Sequence, residues 1–152
     1  MRSGRKKILA ISSGGGHWVQ LLRLRPAFSG HDVIYVTVSN GYRDDVEGCR
    51  FATVPDATRW NPLGVARLGL RVAWLLVRER PDVVITTGAA PGYFALRIGR
   101  ALGARTVWLD SIANTEQISL SGQKVGRSAD LWLTQWPHLA RDTGPSFRGS
   151  VL

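Results

Sequence analysis

The chain has 152 residues, 44% of them hydrophobic, and its 20 basic against 11 acidic residues give a formal charge of +9. That length allows one domain with a sizeable core, and the charge points to an anionic partner: a phosphorylated substrate, an anionic membrane surface or nucleic acid. Nucleic acid ranks last, because the sequence carries no RNA-binding aromatic motif, zinc pattern or helix-turn-helix signature.

A lone Cys49 excludes an internal disulfide and agrees with a reducing compartment. Arg5, Lys6 and Lys7 lead into only a short apolar run, so no secretory signal is read. The longest apolar segment, Gly64–Val77, is interrupted by Arg67 and Arg71 and is too short to cross a bilayer. The expectation is a soluble or peripheral protein.

Taken in order, Ile8–Ile11 is an apolar run that suits a strand buried on both faces of a parallel sheet. Gly14, Gly15 and Gly16 follow, then a helical pattern with Trp18, Val19, Leu21, Leu22 and Leu24. A strand, a glycine turn and a helix in that order bring free backbone N–H groups and a positive helix end to the sheet's carboxyl edge, which suits a phosphate or diphosphate. A dinucleotide fingerprint would need a glycine where Val19 stands, and a P-loop would need lysine where His17 stands.

A second strand is read at Asp32–Ser39, ended by Asn40-Gly41, and a weaker one at Arg50–Val54. After a polar loop, Pro62 opens a helix to Arg80. On it Arg67, Arg71 and Arg78 share a face, with Trp74 nearby. That face is either solvated or a membrane-surface face with Trp74 as interfacial anchor. Strand Val83–Thr86 leads into Thr87-Gly88 and a helix with Pro91 at its first position, running to about Leu102. Strand Arg105–Leu109 ends at Asp110, a polar loop and helix fill Ser111–Ala129, and a last strand spans Asp130–Thr134. The Gly-, Pro- and Ser-rich tail from Pro137 is expected to pack loosely.

This alternation predicts an α/β doubly wound, mostly parallel, Rossmann-like sheet. Right-handed crossovers bring Gly14–Gly16, Gly88 and Asp110 to one edge, the usual ligand crevice of such folds.

SSGGGH at Ser12–His17, TTG at Thr86–Gly88, SLSG at Ser119–Gly122 and QWP at Gln135–Pro137 occur in an order that resembles a known family. It is that of the acceptor-side subunits of split GT-B glycosyltransferases: the asparagine-linked-glycosylation protein fourteen family and its bacterial PssD-type relatives in exopolysaccharide assembly. The single-chain transferase that completes the peptidoglycan lipid precursor has a similar glycine turn ending in histidine. The resemblance implies the N-terminal half of a GT-B enzyme, with a second, smaller subunit holding the UDP-sugar. The pair would transfer N-acetylglucosamine, or glucuronic acid or glucose, to a lipid-diphosphate-linked acceptor at the cytoplasmic face of the membrane. This chain would bind the acceptor, recruit the donor-binding subunit and show little activity alone. No resident cofactor or metal is implied. Two departures stand out. Only MRSGRKK precedes the first strand, so attachment would be peripheral, and Asn114 stands where the family often has arginine.

Within that reading His17 is either a general base, suited by its titration near neutrality, or a structural histidine. Asp110 is an alternative base or a turn aspartate. Ser13, Gly14, Gly15, Gly16, Thr87, Gly88, Ser119, Ser121 and Gly122 are the candidate phosphate and substrate contacts. Gln135, Trp136 and Pro137 form a subunit interface or pack inside. Glu116 is singled out by position alone, and His31 and His138 are read as surface or packing residues. Competing readings are a non-catalytic membrane adaptor and a stand-alone nucleotide-binding domain.

Overall fold

The computed structural model describes residues 4–151. Seven parallel strands form one sheet: β1 (Lys7–Ile11), β2 (Asp32–Thr37), β3 (Arg50–Thr53), β4 (Val83–Thr86), β5 (Arg105–Leu109), β6 (Leu131–Thr134) and β7 (Ser146–Phe147). Four α-helices accompany them: α1 (Gly16–Arg23), α2 (Pro62–Glu79), α3 (Ala89–Ala101) and α4 (Leu120–Val125). This is the doubly wound, Rossmann-like α/β architecture expected.

The spatial order is β3-β2-β1-β4-β5-β6-β7. The chain therefore runs outward from β1 in one direction, returns through α2, and runs outward from β4 in the other. The order reverses between β1 and β4, which pair directly from Ile8↔Val83 to Ile11↔Thr86. Loops leaving two such strands diverge and open a crevice above their carboxyl ends. The two glycine turns leave these two strands.

The period of the strands explains the layers. Leu9 and Ile11 of β1 point to one face and join Leu68, Val72 and Leu76 of α2 with Ala95 and Leu96 of α3. Ile8 and Ala10 point to the other and join Trp18 and Leu21 of α1, Phe28 and Tyr35. Both faces of β1 are thus covered, as its uninterrupted apolar run requires. Trp18 is 1% exposed and meets Tyr35 edge to face with ring centroids 6.1 Å apart.

Several expected boundaries shift. Asn61 caps α2, accepting from the Gly64 N–H at 3.1 Å, and Pro62 takes the first helical position, where a missing N–H costs nothing. In α3 the helix begins at Ala89, so Pro91 is the third residue rather than the first. The Ser111–Ala129 stretch is mostly loop, with α4 confined to Leu120–Val125. Most of the tail is exposed, but part of it is tied down. It supplies β7, and the Val151 N–H is held by the buried Gln135 side chain at 2.9 Å. Cys49 is free and exposed. No helix among the described residues is long and apolar enough to cross a membrane.

Candidate active-site cleft

After β1 the chain must turn sharply to enter α1. Gly15, with φ +65°, makes that turn in the left-handed region that L side chains avoid, and it stands as N-cap with no side chain covering the helix end. Its own N–H donates to the Tyr42 hydroxyl at 2.9 Å. The first N–H groups of α1, from Gly16 and His17, remain without side-chain caps and turn towards the crevice. The turn after β4 repeats the device: Gly88, φ +128°, precedes α3, which also lacks a side-chain cap, and Ala89 is forced to φ +67°. Two helix N-termini thus meet at the switch point, each able to face an anion.

The two turns are stitched together. The His17 ring places Nδ1 3.0 Å from the Thr87 carbonyl, and the Thr87 hydroxyl donates to the His17 carbonyl at 2.6 Å. A carbonyl only accepts, so Nδ1 carries the proton and a neutral ring keeps its basic lone pair on Nε2. Among the described residues no hydrogen bond is made to Nε2. His17 also borders an open cleft of about 400 Å3, together with Ala89, Ser111, Asn114, Gln117 and Ser121.

On the β5–β6 side the predicted residues are used differently. Asp110 is 1% exposed. Its Oδ1 accepts from Trp108 Nε1 (3.0 Å) and the Ser119 hydroxyl (2.6 Å), and its Oδ2 accepts from Asn114 Nδ2 (2.9 Å) and the Ser119 N–H (3.0 Å). A carboxylate with every lone pair engaged is an organiser of the loop, not a base free to reach an acceptor. Ser119 is equally committed: besides binding Asp110 it caps α4, accepting from the Gly122 N–H at 3.0 Å. Gly122 is buried, and a Cβ there would lie 2.7 Å from Asp110 Oδ1. Of the SLSG motif, Ser119, Leu120 and Ser121 border the cleft and Gly122 does not.

Gln135, read as an interface residue, is 2% exposed. Its Nε2 donates to Gln20 Oε1 (2.5 Å) and to the Asp110 carbonyl (3.0 Å), while Gln20 Nε2 donates to the Ser111 hydroxyl at 3.1 Å. Trp136 is half-buried and donates from Nε1 to the Ile112 carbonyl at 2.8 Å. Of QWP only Pro137 is exposed. A buried amide thus ties α1 and the chain's last described residue to the loop that follows β5. His138, exposed, keeps Nε2 at 2.5 Å from the Thr115 carbonyl, and Glu116 is exposed away from any partner among the described residues. Ser13 is half-buried beside the first turn, with its carbonyl taking the Ser12 hydroxyl at 2.8 Å.

Sequence reasoning missed Gln20, Tyr42, Asn114 as a ligand of Asp110, and Gln117. Gln20 carried a signal: a lone amide on the otherwise apolar face of a short helix must find a partner inside.

Along α2, Leu63, Arg67, Leu70, Trp74 and Val77 recur at helical spacing on the outer side, with Leu63 79%, Leu70 73%, Trp74 47% and Val77 53% exposed. Arg71 and Arg78 flank Trp74, their guanidinium carbons 4.7 and 5.0 Å from its ring. An open apolar groove of about 760 Å3 continues this side between α2 and α3, past Leu70, Phe94 and Ile98.

Comparison with known proteins agrees with this architecture. The chain is 28% identical over 168 residues to the UDP-N-acetylglucosamine transferase subunit ALG14 of Eremothecium gossypii, covering 90% of this chain and 75% of that protein. It is 24% identical over 162 residues to the subunit of the same name from Yarrowia lipolytica, covering 88% and 75%. The chain is similar to the ALG14 transferase subunits. No family model matches it. Among solved structures, Acinetobacter baumannii MurG superposes with a TM-score of 0.78 at 13% identity, over 97% of this chain and 46% of MurG. Rickettsia bellii UDP-N-acetylglucosamine 2-epimerase gives 0.69 at 14% identity, over 97% and 45%. The chain thus spans slightly less than half of these structures and three quarters of these two ALG14 subunits. Its Rossmann-like fold is that of a GT-B glycosyltransferase half, and the family resemblance read from the motifs is borne out.

Proposed function

We propose that this chain is the acceptor-side subunit of a two-chain glycosyltransferase that moves a sugar from a UDP-sugar to a lipid-diphosphate-linked acceptor. The observation that carries the reading is the meeting of two uncapped helix N-termini with His17 at the β1/β4 switch point. The acceptor diphosphate lies against the N–H groups at Gly15–His17 and the start of α3. The acceptor hydroxyl gives its proton to His17 Nε2 as its oxygen attacks the anomeric carbon. The bond from that carbon to UDP breaks, and UDP leaves towards the partner subunit, which supplies the donor site. His17 is ready for this role because the Thr87 carbonyl fixes its tautomer. Ser121, Asn114 and Gln117 line the sugar side of the cleft. Asp110 and Gln135 hold that loop in position.

The exposed Leu63–Val77 stripe with Arg67, Arg71 and Arg78 seats the chain on an anionic membrane at the cytoplasmic face. Trp74 and the leucines enter the interface and the arginines meet the headgroups. Within α2 the only carboxylate is Glu79, which is buried against Arg50.

A tagged pull-down from native cells, followed by a transfer assay on the recovered complex, tests this. Co-purification of a small UDP-sugar-binding chain, with transfer absent from either chain alone, is the expected result. Recovery of this chain by itself, with transfer neither gained nor lost on mixing, contradicts it.

A further inference from the structure

A second cavity, of about 320 Å3, lies on the far flank of α2, between its C-terminal half, the edge strand β3 and the turn that begins at Asn40. Four arginines line it: Arg43, Arg50, Arg71 and Arg78. Glu79 is the one carboxylate among the lining residues, and it is already engaged. Arg50 Nη2 donates to its two oxygens at 2.7 and 2.8 Å, and Lys7 Nζ stands 3.8 Å away. Arg78 approaches it only to 3.8 Å, through Nε. Among the described residues Arg43 and Arg71 form no ion pair.

These guanidiniums are nevertheless held. Arg43 lies over the Phe51 ring at 5.0 Å. Arg71 lies over Trp74 at 4.7 Å and donates from Nε to the Thr53 carbonyl at 3.3 Å. Stacking on a ring leaves the edge N–H donors of a guanidinium free while restricting its motion. Positive charge gathered in a concave site, fixed by aromatic rings and outnumbering the one carboxylate that Arg50 engages, is the arrangement that recognises phosphate through forked donors.

We propose that this cavity binds a phosphate group through Arg43, Arg71 and Arg78, with Arg50 held in reserve by Glu79. The group comes either from an anionic phospholipid headgroup, since the site adjoins the exposed stripe of α2, or from a soluble phosphorylated small molecule. The headgroup source deepens the membrane half of the reading above and rests on it. The soluble source does not. Neither involves the β1/β4 cleft.

The test uses the full chain, a double variant Arg43→Gln/Arg71→Gln and a control, Arg67→Gln, which sits on the same helix but outside the cavity. Co-sedimentation is measured with phosphatidylcholine vesicles made anionic by phosphatidic acid or, at equal charge, by oleate. Calorimetric titration with glycerol 3-phosphate runs in parallel. The expected result is tighter binding to phosphatidic acid than to oleate, weakened about tenfold or more in the double variant, with the control lowering both vesicle types alike. Binding of glycerol 3-phosphate that needs Arg43 and Arg71, with no preference between vesicles, supports the site and assigns the soluble source, even where vesicle binding fails altogether. Equal weakening of both vesicle types by both variants, with no glycerol 3-phosphate bound, overturns the site while leaving the membrane face of α2 intact. Should the double variant fail to fold, Arg78→Gln, at a side chain 63% exposed, carries the same comparison.

Discussion

The two sides of the sheet's carboxyl edge are built on opposite principles. At β1 and β4 the backbone is bent by glycine, the helix ends are uncapped, and donors face outward. At β5 and β6 the polar groups face inward and satisfy one another: Asp110 with Trp108, Asn114 and Ser119, and Gln135 with Gln20. The motifs on both sides look alike in sequence, being short runs of Ser, Gly, Asp and Gln after strands. Burial divides them into a ligand edge and a scaffold. A polar group removed from water must be paired within the protein, whereas one at an open edge is available to a ligand.

The sharpest way to break this contrast is Asp110→Ala. It strips a partner from Trp108 Nε1, Asn114 Nδ2 and the Ser119 N–H and hydroxyl at once. The expected loss is about 3–5 kcal/mol, or a fall in Tm on the order of 10 °C, read by thermal melting. An unchanged Tm would remove the scaffold role. His17→Ala should do the reverse. Turnover of the assembled pair falls about a hundredfold or more, while Tm hardly moves. Turnover equal to wild type would favour a non-catalytic adaptor. Gly15→Ala lies between the two, because it places a Cβ at φ +65°, costing about 1–2 kcal/mol, and reshapes the donors facing the ligand.

How much of this was legible follows the same division. The strands, their order of burial and the glycine turns could be read because a parallel core strand and a left-handed turn each leave a local mark on the sequence. The families of residues at the edge could be read too, including His17. What sequence could not convey is which member of each motif turns inward. Ser119 and Ser121 are two residues apart and both border the cleft, yet the first spends its hydroxyl on capping α4 and binding Asp110 while the second makes neither contact. Gln135, Trp136 and Pro137 read equally as a subunit interface, because a flat aromatic with few rotamers suits such contacts, or as interior packing, and Gln135 lies inside. Its partners, Gln20 and Val151, come from distant points in the chain. The tail is a similar case, since a two-residue strand has no period to detect.

The smallest expected effect sharpens the comparison from outside both regions. Asp130, at the entrance to β6, is held below the ordinary carboxylate range, chiefly by the Thr106 N–H that donates to it at 2.8 Å, with the Thr106 hydroxyl and Arg100 adding to this. A depressed carboxylate stabilises the fold above its unfolded value and loses that contribution as pH falls through its folded one. The group is exposed, so Asp130→Asn should cost under about 1 kcal/mol near neutrality and flatten the acid side of the stability profile, measured by urea melts across pH. A loss as large as that of Asp110→Ala would show that the distinction between buried and exposed carboxylates has been misplaced.

The most direct test is an amide-resolved NMR titration of the full chain with a short-chain prenyl diphosphate. The account predicts shifts at Gly15, Gly16, His17 and Ala89, with the side-chain amides of Gln20 and Gln135 and the Ser119 and Gly122 N–H groups unmoved. Shifts centred on Ser119, Gly122 and Gln135, with the two glycine turns silent, would contradict it.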